Sequence, residues 1–179
     1  ATGKAKEIED IFKVLKDNEI SNEAIEGCLS VLATGKAKEI ENIFKVLKDN
    51  EISNEAIEGC LLVLATGKAK EIEGIFKVLN DNKISNEAIE GCLTVLAKGK
   101  AKEIEGIFKV LNDNKISKKA IEGCLSVLAK GKAKEIENIF KVLNDNKISK
   151  EVIEGCLSVL ATGKAKEIEN IFKVLNDNK

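Results

Sequence analysis

Apolar residues in this chain fall into two helical patterns, and the pair of patterns recurs every 32 residues. Between Lys36 and Lys48, the residues Ala37, Ile40, Ile43, Phe44 and Leu47 stand at steps of three and four, which predicts a helix with one apolar face, helix B. Asp49-Asn50 predicts its end, with the asparagine taking the left-handed conformation that closes many helices. In the link before the next element, Ser21 is a predicted N-cap, and Ile20 can pack on Ile25 as a hydrophobic staple. Helix A therefore starts near Asn22. Its apolar stripe runs through Ile25, Cys28, Leu29 and Leu32, and Ala24 and Val31 widen it enough to touch helices on two sides.

The repeated units are 1–32, 33–64, 65–96, 97–128 and 129–160, with a partial sixth at 161–179. A unit of this length cannot bury both faces of its own helices, so neighbours must stack. The predicted fold is all-α: one solenoid domain over 1–179, a superhelical array of helix-turn-helix repeats whose hand the sequence does not fix. A mid-helix glycine recurs as Gly27, Gly59, Gly91, Gly123 and Gly155 at a cost of about 1 kcal/mol relative to alanine, and close approach of a neighbouring helix is the expected reason. Gly35 and its equivalents are expected to cap helix A or to open helix B. The copies drift. Thr34 and Thr66 give way to Lys98 and Lys130 before Thr162, Gly74 and Gly106 replace Asn or Asp, and Asn80 onward replaces Lys16 and Lys48. Adjacent units share variants, the pattern that tandem duplication leaves.

Composition narrows the chemistry. Proline, histidine, methionine, tryptophan and tyrosine are absent, and all 29 basic residues are lysine. Without histidine the commonest general base is missing, and carboxylates that recur identically in most units form no singular cluster of the kind an active site needs. Neither catalysis nor a cofactor is expected. The cysteines, Cys28, Cys60, Cys92, Cys124 and Cys156, occupy one position per repeat, too far apart for disulfides within the chain. They read as small core residues, and unpaired thiols favour a reducing, intracellular compartment such as the cytoplasm. No stretch approaches the roughly 18 apolar residues of a membrane span. A start without methionine and a stop within a unit suggest a fragment or a processed chain.

Counting Lys against Asp plus Glu gives −3, −2 and −1 for the first three units, then +3, +1 and +1. Each helix B opens on Gly-Lys-Ala-Lys, which sets two cations at the end of the helix where the dipole favours anions. The candidate anion-binding residues are Lys4, Lys6, Lys36, Lys38, Lys68, Lys70, Lys98, Lys100, Lys102, Lys130, Lys132, Lys134, Lys164 and Lys166. In a stack they line one edge, where lysines and free backbone N–H groups together suit a row of phosphates. The competing expectation is a solvated face on which Lys36 pairs with Glu39 and Lys38 with Glu41.

The segment Ile-Ser-Asn-Glu-Ala-Ile opening helix A, the Gly-Lys opening helix B and the Ile-Phe-Lys-Val-Leu core of helix B resemble transcription activator-like effector repeats and, less closely, mitochondrial transcription termination factor repeats. The effector resemblance implies DNA wrapped by a superhelix, with the Gly-Lys link near phosphate. The links here, such as Ala33-Thr34-Gly35 and Ala97-Lys98-Gly99, carry no variable base-reading pair, and the chain has no arginine for bidentate guanine contacts. The expected function is thus a non-enzymatic scaffold that binds an extended macromolecule, peptide or nucleic acid, along a repeated edge. A DNA-binding array working through phosphates and a purely structural, self-associating array are the alternatives. Both terminal helices carry uncovered apolar faces, so Phe12 and Phe172 are expected to be partly exposed and to favour a two-fold contact of like ends.

Overall fold

The computed structural model describes residues 2–178; helix makes up 77% of it, and no strand occurs among the described residues. Helix B forms α1 (Thr2–Asp17), α4 (Ala37–Asp49), α7 (Ala69–Asp81), α10 (Ala101–Asp113), α13 (Ala133–Asp145) and α15 (Ala165–Asp177). Helix A is broken in four repeats, into α2 (Asn22–Gly27) and α3 (Leu29–Leu32), α5 (Asn54–Gly59) and α6 (Leu61–Thr66), α8 (Asn86–Gly91) and α9 (Leu93–Leu96), and α11 (Lys118–Gly123) and α12 (Leu125–Leu128). In the fifth it is one helix, α14 (Lys150–Thr162). Each helix B packs on the next, α1 on α4, α4 on α7, α7 on α10, α10 on α13 and α13 on α15. Helix A segments do likewise where α3 meets α6 and α12 meets α14. One continuous apolar core runs from Ile11 to Ala165 between the two rows. Phe44, Phe76, Phe108 and Phe140 are buried in it, and the outermost Phe12 and Phe172 are only partly covered, as the repeat pattern leads one to expect.

The break in helix A coincides with a local exchange of hydrogen bonds. The backbone N–H of Cys28 bonds the carbonyl of Ile25, three residues back, at 3.2 Å. That leaves the Ala24 carbonyl free, and the Cys28 thiol donates to it at 2.9 Å. The same exchange recurs at Cys60, Cys92 and Cys124, whose sulfurs reach Ala56, Ala88 and Ala120 at 3.0, 3.1 and 3.0 Å. Cysteine at this position is a small apolar residue that also repairs the helix ladder. The four are buried, and burial pushes the thiols of Cys60, Cys92 and Cys124 up to about 11, so they stay protonated and inert near neutral pH. Cys156, in the unbroken α14, is exposed.

Two expectations about the backbone need correction. Asn50 closes α4 with φ −97°, outside the left-handed region; the left-handed residue is the next one, Glu51, with φ 57°. Glu51 N–H bonds the Lys48 carbonyl and Ile52 N–H bonds the Leu47 carbonyl, both at 3.0 Å, which together form a Schellman motif closed by the buried Ile52. Asn50 serves through its side chain, whose Nδ2 donates to the Val46 carbonyl at 2.7 Å. Glu19, Lys83, Lys115 and Lys147 take the same left-handed role in the other repeats.

The second correction concerns the glycines. Nothing lies within 4 Å of where a Cβ would stand on Gly27, Gly59, Gly91, Gly123 or Gly155, so no neighbouring helix approaches them. The close approach occurs elsewhere: a Cβ on Gly74 or Gly106 would stand 2.8 Å from the Cβ of Ala101 or Ala133 on the next helix B. At Gly35 a Cβ would meet Ile40 Cδ1 at 2.8 Å, so that glycine lets helix B's own first turn fold back over the link.

These two glycine classes predict opposite responses. Gly59→Ala places a methyl in open space at a non-positive φ and should raise stability by about 0.5–1 kcal/mol. Gly74→Ala must push α7 and α10 apart and should lower the melting temperature relative to Gly59→Ala. Thermal unfolding of the two variants checks this, and equal melting temperatures would show that Gly74 does not set the spacing.

Candidate partner-binding edge

All fourteen candidate lysines are exposed, and the structure gathers them unevenly. Lys98, Lys100, Lys130 and Lys132 line one open groove of about 550 Å³ between the third and fourth links, together with Thr94, Gly99, Gly131 and Glu103. Lys68, Lys98, Lys100 and Lys102 line its neighbour, about 530 Å³, one repeat earlier. The two grooves are built from equivalent positions, and Lys98 and Lys100 belong to both. Lys36 and Lys38 instead border a groove shared with Glu7, Asp10, Asp17 and Glu41, so in the first two repeats the edge is of mixed charge. Lys4, Lys6, Lys70, Lys134, Lys164 and Lys166 line neither basic groove.

The free N–H groups expected on this edge are partly occupied from within. Lys36, Lys68, Lys100, Lys132 and Lys164 sit at the helix B N-cap and give no side-chain cap. For the helices that follow Lys68, Lys100, Lys132 and Lys164 the cap comes from the preceding repeat. Glu39 Oε1 accepts from the backbone N–H of Ala69 at 2.6 Å, Glu135 does the same for Ala165 at 2.5 Å, and Glu71 and Glu103 bond Ala101 and Ala133 in the same way. Each carboxylate supplies the negative charge that the helix dipole favours, which resolves why lysines are tolerated there. Of the ion pairs expected along the face, Lys38–Glu41 forms at 3.0 Å and Lys164–Glu167 at 3.5 Å, while Glu39 turns to Ala69 instead of Lys36.

A second set of carboxylates runs the other way. The backbone N–H groups of Ser21, Ser53, Ser85 and Ser117, at the starts of successive helices A, each donate at 2.7 Å to the Oε1 of Glu58, Glu90, Glu122 and Glu154 of the following repeat. The serine hydroxyls cap their own helices, as at Ser21 Oγ, which accepts from Ala24 N–H at 3.2 Å. Sequence reasoning found the serine caps and missed both glutamate sets. The available signal was the uncapped Lys36 class itself: a helix start without a cap residue of its own, in a repeat, calls for an acid one period away.

A third contact is a ladder of asparagines. The Nδ2 of Asn80, Asn112, Asn144 and Asn176 donates to Oδ1 of Asn50, Asn82, Asn114 and Asn146 at 2.6, 2.8, 2.9 and 3.2 Å. The change from Lys48 to Asn80 is what begins it, and Lys48 bonds Asn54 instead. No group of His, Cys, Asp and Glu residues suited to a metal occurs among the described residues, and no helix there is long and apolar enough to cross a membrane. Comparison with protein-family models, with curated proteins and with solved structures returns no match.

The Ser85 backbone N–H holds the Glu122 carboxyl below its ordinary value; burial opposes this, and the Ser85 hydroxyl and Lys118 at 3.6 Å reinforce it. Glu154 is lowered in the same way by Ser117 and Lys150. A carboxyl lowered on folding contributes stability above its unfolded value, about 4.3, and that contribution is lost as pH falls through the folded value. Urea midpoints should therefore hold between neutral pH and about 5 and drop below about 4.3. Replacing Glu122 and Glu154 by Gln should make the drop shallower. An unchanged acid limb would show that these two bonds do not govern acid stability.

Proposed function

We propose that this chain is a non-enzymatic solenoid scaffold that binds an extended partner along the row of link grooves, with its strongest affinity for anionic stretches of that partner at the third to fifth repeats. The observation that carries the reading is the pair of equivalent, adjoining grooves that share Lys98 and Lys100. A partner that satisfies one groove meets the same chemistry one repeat further on, which is how a repeated surface gains affinity from a long ligand. The preceding-repeat glutamates bear on how the edge works. With Ala101 and Ala133 N–H already bonded, lysine side chains and not those N–H groups make the contacts.

The second reading, a nucleic-acid-binding array, is favoured by Lys98 and Lys130 standing where other links carry threonine. Against it stand a net charge of −1 and the acidic first repeats. The effector-like resemblance has no family match behind it, so this reading rests on the lysines alone.

Binding to heparin, duplex DNA and single-stranded DNA at two salt concentrations tests both. Replacing Lys98, Lys100, Lys130 and Lys132 together by Gln should lower polyanion affinity and reduce the log–log salt slope by about 0.7–0.9 for each phosphate no longer neutralised. Replacing Lys77, Lys109 and Lys141, on the later turns of helix B, should change it less. Salt-insensitive retention, or equal weakening by the two sets, overturns the anionic groove; a wild-type protein that ignores all three polyanions leaves the scaffold reading with an uncharged partner.

A further inference from the structure

The two lysine grooves carry more than positive charge. Half-buried Val95 and Ala129 line the first beside exposed Lys98, Lys100, Lys130 and Lys132, and Val63 and Ala97 line the second beside Lys68, Lys98 and Lys100. Each groove also holds one acid, Glu103 or Glu71, with one carboxylate oxygen bonded to the backbone N–H of Ala133 or Ala101. The second oxygen is left as an acceptor. A ligand that fits therefore brings anions for the lysines, an apolar group for Val95 and Val63, and a hydrogen-bond donor for the glutamates. A phosphate backbone brings only the first. Nor do nucleic-acid bases find a stacking platform, since Phe76, Phe108 and Phe140 lie in the core.

We propose that these grooves take an extended acidic polypeptide segment in the polyproline II conformation, with a carboxylate at every third residue. This rests on the scaffold reading above and adds the class and spacing of its partner. The links lead into helices B that pack directly on one another, α7 on α10 and α10 on α13, so successive lysine links stand one helix spacing apart, about 8–10 Å. A polyproline II chain rises about 3.1 Å per residue with three residues per turn, so positions i, i+3 and i+6 share one face at intervals of about 9.3 Å. Its backbone N–H groups make no internal hydrogen bonds and remain free for Glu71 and Glu103. Three links, at Lys68, at Lys98 with Lys100 and at Lys130 with Lys132, then match an acidic stretch of about seven residues. Toward the first repeat the row runs into Glu7, Asp10, Asp17 and Glu41, which repel a longer polyanion. Duplex DNA, with a charge for about every 1.7 Å of its axis, brings about five charges per step to a groove that already holds an acid.

Fluorescence anisotropy of labelled probes with the full chain, at two salt concentrations, tests this. The probes are a peptide of three Glu-Pro-Val triplets, a peptide of the same composition with its glutamates adjacent, and a single-stranded oligothymidylate. The triplet peptide is expected to bind about tenfold more tightly than the other two, and salt should weaken it. Lys98→Thr combined with Lys130→Thr, which installs the residue of the other links, should lower that affinity about tenfold and leave helicity by circular dichroism unchanged. Equal affinity for the two peptides, or tighter binding of the oligothymidylate, overturns the proposal and leaves the anionic grooves standing. An affinity that the double variant leaves intact overturns it as well. Heparin separates the remaining cases. Salt-sensitive binding of heparin without binding of the triplet peptide overturns the polypeptide assignment alone, and no salt-sensitive binding of any probe or of heparin overturns the anionic groove itself.

Discussion

The carboxylate of one repeat bonded to the backbone N–H that starts a helix in another is the interaction on which the rest of this structure depends. From the second repeat to the fifth, every boundary combines Glu39 or its equivalent reaching forward with Glu90 or its equivalent reaching back. Both bonds are charge-assisted, and both satisfy donors that a helix start otherwise leaves to water. Their direction matters more than their number. One set ties helix B to the next helix B, and the other ties helix A to the following repeat, so a repeat cannot slide along the core without breaking bonds in both rows. The apolar core supplies the non-directional attraction; these bonds set the register in which it is realised.

That arrangement changes the meaning of the Gly-Lys-Ala-Lys segments. Read alone, two cations at a helix start look like a cost accepted in order to hold an external anion. With Glu39 placed against Ala69, the anion is internal and the cations are no longer opposed by a bare dipole. The lysines are freed for the grooves, where Lys98, Lys100, Lys130 and Lys132 converge. If the grooves bind a partner as proposed, they would do so through flexible point charges on a fixed frame, which suits recognition by charge spacing more than by shape.

Most of the helix placement was legible because the 32-residue period multiplies each local signal. The apolar spacing of Ile40, Ile43, Phe44 and Leu47 and the cap at Ser21 are short-range and read directly. The break at Cys28 was not legible, since the stripe through Ile25, Cys28, Leu29 and Leu32 fits an unbroken helix equally well. Leu29 shows what the stripe hides: it is 43% exposed, while Leu61, Leu93 and Leu125 at the same position of later repeats are buried. The glycine assignment failed for a related reason. A helical glycine signals either close approach or a local break, and Gly27 and Gly74 are indistinguishable on sequence spacing alone. The glutamate bonds lay furthest from sight, because residues 30 or 37 apart become neighbours only through stacking.

Part of the drift between repeats falls on the interfaces, and there it has a physical reading. Gly74 and Gly106 let α10 approach α7 and α13 approach α10, whereas Asn42 and Asn138 hold side chains at the corresponding boundaries. Asn80 starts an amide ladder that continues to Asn176, and Lys48 at the same position bonds Asn54 instead. In an array whose stability is a sum of repeat terms and nearest-neighbour terms, such substitutions tune coupling between particular neighbours while the repeat itself stays nearly constant. The boundaries among the third, fourth and fifth repeats combine the closest helix B packing with the ladder, and the basic grooves lie beside them. Under the proposed scaffold reading, repeats packed in this way would hold the lysine-bearing links at a regular spacing, and regular spacing is what lets several weak ionic contacts add up on one extended partner.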